Sequence, residues 1–372
     1  MKQCTRCIYD DSTPNITFDE KGICNYCKLQ DEMEKEYPTG KEGETRLMKL
    51  AEEIKRAGKR RQYDCVVGVS GGCDSSYLLY LAKVKMGLRP IAVHFDNTWN
   101  SKTAVENIER VLKKLDIPLW TVVMDNDEFN DLAAAMFKSS VPEVDGLSDI
   151  GLATTLYLAA EKFKIKYILE GHSFRTEGIT PLGWLYYDAK YIQDIHNKFG
   201  KRKMKNFPNL WLGRWMKWML INIKKVRPLY YVEYDKEKIK KFLNQEFGWT
   251  WYGGHHMENR FCAFNHWLLN TKYKRDFRYV ELSALVRSGQ ITRDQALVEV
   301  VKPPYYPDEI KREILKRLDI TETEYECILA LPPKGEKDYK TYHSTFRALK
   351  PVFWVLYKTD RVTKSFYVKY CK

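Results

Sequence analysis

The sequence predicts an α/β protein: a parallel sheet with helices on both faces, an N-terminal zinc-knuckle head and a mainly helical C-terminal region. Three observations predict it. Short apolar, β-branched runs near 63–69, 90–95, 119–124 and 167–170 alternate with stretches of helical periodicity. The first run ends in the turn Ser70-Gly71-Gly72-Cys73-Asp74-Ser75-Ser76, which opens directly into a helical pattern. Two Cys-x-x-Cys pairs stand ahead of all of this, at Cys4/Cys7 and Cys24/Cys27.

Taken in order, the head comes first. The two cysteine pairs are separated by a spacing that suits four thiolates around one tetrahedral zinc ion, with a short hairpin between them. So small a unit has little core of its own, and the metal is expected to stabilise it as a structural ion. Residues 31–62 read as a polar linker and then a helix with Leu47, Leu50 and Ile54 on one face. Strand one (63–69) leads to a helix over 74–86, strand two (90–95) to a helix over 101–116, and strand three (119–124) to helices near 127–138 and 149–164. Strand four is 167–170, a fifth strand is expected to end at Pro228-Leu229, and a helix follows over 235–247. The expected division is 1–45 for the head and linker, 46–250 for the sheet domain with an insertion at 174–226, and 251–372 for the C-terminal region.

Composition narrows the classes. No stretch of about 18 uninterrupted apolar residues occurs, and the N-terminus has no secretory apolar segment, so a cytoplasmic protein is expected. Nine cysteines in that setting suggest metal ligands, core residues or thiols more than disulfides. The net charge of +13 suits an anionic partner. Much of it is local: no Asp or Glu occurs from Ile195 to Val232, and residues 198–227 carry ten Lys and Arg.

The loop after strand one has the chemistry of a phosphate site. Gly71 and Gly72 allow backbone amides to approach an anion, the following helix start supplies N–H groups and partial positive charge, and the serines add donors. Asp74 beside phosphates implies a bridging Mg²⁺ or an N-cap. No Lys follows the glycines, so the loop is not G-x-x-x-x-G-K-[ST], and G-x-G-x-x-G is absent too.

Ser-Gly-Gly-x-Asp-Ser after a buried strand resembles the PP-loop of the ATP pyrophosphatase superfamily, whose fold is of the adenine-nucleotide α-hydrolase-like (HUP-like) kind. The chain as a whole is similar to the N-acetyl sugar amidotransferase family of bacterial polysaccharide biosynthesis (lipopolysaccharide, O-antigen or flagellin sugars). The resemblance runs through the four cysteines, 70–76, Phe95-Asp-Asn-Thr-Trp-Asn-Ser101, Ser148-Asp-Ile-Gly151, Glu170-Gly-His-Ser-Phe-Arg-Thr-Glu-Gly178, Asp188-Ala-Lys-Tyr191, Gly253-Gly-His-His-Met-Glu258, 283–290 and 292–296. The sequence departs at Glu170, where many superfamily relatives have a small or polar residue, and at Cys73. The resemblance implies ATP, Mg²⁺ and structural Zn²⁺, and conversion of an acetamido group on a nucleotide-linked sugar to an acetamidino group. AMP transfer to the amide oxygen makes a leaving group, and ammonia displaces it. No nucleophilic cysteine in a suitable setting is visible, so separate glutaminase and cyclase-like subunits are expected to deliver ammonia, with a UDP-linked N-acetyl sugar as substrate.

The resemblance also distributes roles. Ser70, Gly71, Gly72, Cys73, Asp74, Ser75 and Ser76, with Asp96 and Gly171, are expected at ATP. Asn97, Trp99, Asn100, Glu177, Asp188 and Lys190 are expected at substrate. Asp74, His172, His255, His256 and Glu258 are expected in catalysis. Each has a structural alternative: a packed aromatic for Trp99, a structural hydrogen bonder for His172, surface charge for Glu177, Asp188 and Lys190. A second metal site is the weaker reading of the His-Glu cluster, because no further ligand stands at helical spacing. Lys272, Arg275 and Arg278 are either diphosphate ligands or a solvated face. The Trp-rich 206–226 stretch is a buried helix, a partner or ammonia-entry surface, or, least favoured, a peripheral membrane helix. The competing function is a PP-loop enzyme acting on tRNA; nucleic acid is disfavoured because Cys65, Cys73, Cys262, Cys327 and Cys371 contain no further C-x-x-C. A non-catalytic zinc and nucleotide adaptor is a third reading.

Overall fold

The computed structural model describes residues 2–254, 256–359 and 361–371. Five parallel strands form one sheet in the order β3-β2-β1-β4-β5: β1 Cys65–Gly68, β2 Pro90–Asp96, β3 Leu119–Val123, β4 Tyr167–Leu169 and β5 Lys224–Val226. Alternate side chains of the central strands enter different cores, as the period of two requires. Cys65, Val67, Ala92 and Leu169 pack under α2 (Gly40–Gly58), α3 (Cys73–Tyr80), α4 (Lys102–Leu115) and α9 (Lys236–Phe247). Val66, Ile91, Val93 and Ile168 meet α6 (Gly146–Lys162) and Trp218 of α8 (Leu212–Leu220) on the opposite face. Burial on both sides explains the near-continuous apolar runs of β1 and β2.

Between β2 and β4 the chain order reverses, so a crevice opens at the carboxyl ends of β1 and β4. Val67 stands level with Leu169, which brings the ends of these two strands side by side.

The strand and helix expectations agree closely with the structure, with three differences. The polar stretch after the head is helical: α1 (Asn25–Glu36) precedes α2, whose Leu47 and Ile54 are buried as expected. The first sheet helix passes into a π-turn over Leu81–Lys85. The fifth strand lies earlier than expected, at 224–226, and Pro228–Tyr231 is a 3₁₀ turn. Proline has no N–H for the ladder, and the side chain of Arg227 turns in to the Glu170 carboxylate at the end of β4.

The remaining helices close the molecule. Helices α5 (Asn126–Lys138), α7 (Ala189–Phe199), α10 (Arg260–Thr271), α13 (Asp308–Leu318) and α14 (Glu322–Ala330) share one core with Phe95 and Trp99. Helix α8 packs its Leu212, Trp215, Met216 and Met219 against α15 (His343–Ala348), α16 (Lys350–Lys358) and α17 (Lys364–Cys371). Trp218 stacks on Tyr157 at 4.9 Å and donates to Glu161, so the inner face of the Trp-rich stretch is core. No helix among the described residues is long and apolar enough to cross a membrane.

The cysteine head is docked onto α11 (Arg278–Arg287) and α12 (Arg293–Val300). Val280 packs with its cysteines and tyrosines, while Ile8 packs with Ala296 and Val300. Arg293 donates to the carbonyls of Cys4 and Cys7.

Candidate active site

The turn between β1 and α3 is held from behind. Gly71 has φ +80°, and a Cβ there would stand 2.2 Å from the Ala104 carbonyl oxygen of α4. Its own carbonyl accepts from Trp249 Nε1 at 3.0 Å and from Asn107 Nδ2 at 3.4 Å. The Ser70 hydroxyl accepts from Gly72 N–H and pairs with the Ser75 hydroxyl, both at 3.3 Å. Opposite, Gly171 lets the end of β4 approach the first turn of α3; a Cβ would lie 3.4 Å from the Asp74 carbonyl carbon and the Ser75 nitrogen. Gly71 thus seats the turn against α4, and Gly171 faces the first turn of α3 across the crevice.

A cavity of about 740 Å³ opens there, a size ordinary for small-ligand sites. Ser70, Asp74, Ser75, Gly171, His172, Glu177, Asp188, His256 and Glu258 line it together. Tyr342, Phe346, Phe366 and Tyr370 close it from the C-terminal helices.

The cavity wall is charged and mostly paired. Asp74 accepts from Tyr234 Oη at 2.5 Å and faces Lys236 Nζ at 3.4 Å. Burial works against the charge of Lys236, but the carboxylates of Asp74, Glu177 and Glu281 outweigh it and hold the ammonium strongly protonated. Burial and the neighbouring Asp74 carboxylate push Glu177 up to about 8. Burial also opposes ionisation of Glu170, yet Lys225 at 2.7 Å and Arg227 at 3.1 Å prevail and hold it at about 2. This ion triad gives the Glu170 carboxylate two cationic partners at the end of β4. Burial and the Arg227 guanidinium bring His172 down to about 4, so at neutral pH it is an uncharged imidazole paired with Tyr230 Oη at 2.9 Å. Glu258 Oε2 is buried without a partner.

Other expected site residues lie elsewhere. Cys73 and Ser76 are buried on the far side of the turn, and burial and Asp74 push the Cys73 thiol up to about 12. Trp99 is 1% exposed, with Arg317 3.6 Å from its ring centre and its indole N–H on Asn130, so it has no free face for a base or sugar. Asn97 bonds Ser148, Trp99 N–H and Asn259. Asn100 bonds His94, Asp96 and Asn259, and Asp96 also accepts from Thr98 N–H. These four residues clamp the loop after β2 to the start of α10, outside the cavity lining. Asp188 touches the cavity but serves as N-cap of α7, accepting from Tyr191 N–H, and also takes Tyr186 Oη. Lys190 rests over the Tyr342 ring, 5.9 Å from its centre. Lys272, Arg275 and Arg278 are engaged with the Ile328 carbonyl, the Trp184 carbonyl and Asp276. His255 lies outside the described residues. Lys236, Arg227, Lys225, Tyr234 and Trp249 were not singled out from sequence; each is far in the chain from the group it holds.

The four head cysteines are all buried, with Sγ atoms 3.6–3.8 Å apart in the pairs Cys24–Cys27, Cys7–Cys24 and Cys4–Cys27. Tetrahedral Zn–S bonds of about 2.3 Å require an S–S separation near 3.8 Å, so the set fits zinc. Backbone N–H groups of Arg6, Cys7 and Cys24 point at Cys4 Sγ, and the Arg287 guanidinium lies 3.5 Å from Cys7 Sγ, compensating thiolate charge.

A five-stranded parallel sheet with this Gly-Ser turn at its switch point is the α/β class of fold that the PP-loop resemblance implies. Residues 236–352 match the family model described as LPS biosynthesis protein WbpG-like, C-terminal domain, which bears out the resemblance to polysaccharide-biosynthesis proteins. The chain is 26% identical over 323 residues to an uncharacterized protein of Methanocaldococcus jannaschii, covering 85% of this chain and 98% of that one. Among solved structures it is similar to the NH3-dependent NAD synthetase of Campylobacter jejuni (13% identity, 79% of this chain, 99% of that one, TM-score 0.31). It is also similar to the NMN synthetase of Francisella tularensis (18% identity, 63% and 95%, TM-score 0.30).

Proposed function

We propose that the protein is an ATP-dependent, AMP-forming amidotransferase that converts an acetamido group of a nucleotide-linked N-acetyl sugar to an acetamidino group. The observation that carries this reading is the single cavity onto which the Gly-Ser turn, Glu177, His256 and Glu258 all open. The turn and the first N–H groups of α3 bind the β- and γ-phosphates, assisted by Lys236. Asp74 is the carboxylate that would hold Mg²⁺, which neutralises phosphate charge when bound.

The amide oxygen attacks the α-phosphorus, the α–β bond breaks and pyrophosphate leaves. Ammonia then adds to the activated carbon, one N–H proton passes to a base, and AMP departs with the former amide oxygen. The partnerless Glu258 Oε2 is placed to take that proton, and Glu177, near half-protonation at pH 8, is matched to proton exchange with the leaving group. His172, uncharged at neutral pH, donates a hydrogen bond to the departing AMP rather than a charge. Buried Cys65 and Cys73, both with thiols pushed upward mainly by burial, are unsuited to attack glutamine, which supports ammonia delivery by separate glutaminase and cyclase-like subunits.

The test is incubation with ATP, ammonium and a panel of UDP-N-acetyl sugars. The expected products are AMP, pyrophosphate and a sugar nucleotide in which NH replaces O. Formation of ADP, or turnover only when tRNA is supplied, would overturn the reading.

A further inference from the structure

A second group of metal-ligating side chains stands beside the same cavity, and His256 belongs to its wall. His256, Cys262 and His266 each present one ligand atom, and these atoms lie within 4.8 Å of one another. Cys262 and His266 are four residues apart on α10, so one helical face carries both. This is the helical-spacing partner that the His-Glu motif lacked in sequence, and it lies beyond the motif's end. His256 reaches the pair from the preceding loop in a left-handed backbone conformation, φ 64°. Its ring lies on that of His266, with centres 3.7 Å apart.

The surroundings match a cation. Glu281 Oε1 lies 3.3 Å from His256 Nε2, the carboxylate-behind-histidine arrangement that orients a ligating ring. The Asp145 carboxylate abuts Cys262. Glu258, with its partnerless buried oxygen, is two residues before the helix and within electrostatic range of both His256 and Cys262. Three carboxylates converging on two imidazoles and a thiol form an anionic nest that a dication would neutralise.

We infer that His256, Cys262 and His266 form a second metal site, selective for zinc or an ion of its class, with a fourth position open to the cavity. Two nitrogens and one sulfur suit a borderline-soft ion. Bonds of about 2.1 Å to nitrogen and 2.3 Å to sulfur bring tetrahedral ligand atoms to about 3.5 Å from one another. The ligand atoms, already within 4.8 Å of one another, reach that spacing by side-chain rotation. On coordination Cys262 gives its proton to solvent. Three protein ligands with one vacant position are the pattern of a zinc ion that binds an oxygen of substrate or water, unlike the closed four-cysteine site. Because His256 lines the cavity with Ser70, Asp74 and Glu258, that oxygen belongs to whatever occupies the cavity. The inference does not depend on the sugar being the substrate.

Wild-type protein purified with zinc and desalted should hold about two zinc ions per chain by mass spectrometry of the metal. The double variant Cys262→Ser/His266→Ala should hold about one, with its circular dichroism unchanged. A wild-type content of one, or a double variant that keeps both ions, would overturn the site. Should the double variant not fold, anomalous scattering at the zinc edge from wild-type crystals decides. A peak among His256, Cys262 and His266 supports the site; a peak at the four cysteines alone refutes it.

Discussion

Substituting Glu170 by Gln probes the charge arrangement that braces the crevice. The carboxylate accepts from Lys225 at 2.7 Å and Arg227 at 3.1 Å, and it is held at about 2 against an ordinary value of 4.5. Were all of that difference expressed in folding, it would amount to about 3.4 kcal/mol at neutral pH. The three side chains are 21–33% exposed, and solvent screening reduces the expectation to about 1.5–3 kcal/mol. The sign follows from a depressed carboxyl: its contribution is complete above pH 4.5 and is lost as pH falls toward 2. Gln also leaves Lys225 and Arg227 facing each other without the intervening anion. Urea unfolding at pH 7 and pH 3 should therefore show the variant less stable by about 1.5–3 kcal/mol at pH 7, and by less than about half that at pH 3, with equal m-values. Equal midpoints at pH 7, or a gap that does not narrow in acid, would refute the reasoning.

Gly71→Ala places a Cβ 2.2 Å from a backbone oxygen at a positive φ, so nucleotide affinity should fall at least tenfold by calorimetry while the zinc content stays unchanged. Glu258→Gln should slow amidine formation by about 10²- to 10⁴-fold while ATP–pyrophosphate exchange persists; loss of both together would remove Glu258 as the base for ammonia. The pH–rate profile should bend near pH 8, and the bend should vanish in Glu177→Gln; a bend that survives belongs to another group. Trp99→Phe removes the indole donor to Asn130 and should cost about 1 kcal/mol of stability without raising KM; a raised KM for either substrate would return Trp99 to the binding site.

Wherever chemistry is carried by neighbours in the chain, the sequence was readable. Ser70–Ser76 needs its strand before it and its helix after it, and both are local. Cys-x-x-Cys places two sulfurs by the geometry of one turn, so the four-thiolate cluster followed from spacing. The loop after β2 was misleading for the opposite reason. Asp96, Asn97, Trp99 and Asn100 follow a strand end where a ligand is expected, yet their partners Asn259, Asn130 and Arg317 come from distant helices and consume them. Nothing in a polar loop motif distinguishes a side chain that faces a ligand from one that faces another helix.

The amino-acid order by itself determined the parallel sheet, the Gly-Ser turn after its first strand and the four-cysteine head, because hydrophobic period, glycine freedom and ligand spacing act over a few residues. Tertiary structure alone decided that Lys236 stands by Asp74, that Lys225 and Arg227 hold Glu170, and that Cys262 and His266 meet His256. Those pairings depend on how the β4–β5 crossover and the C-terminal helices pack around the crevice. The free energy of a buried charge depends on which partner packing brings to it, and no local pattern encodes that partner.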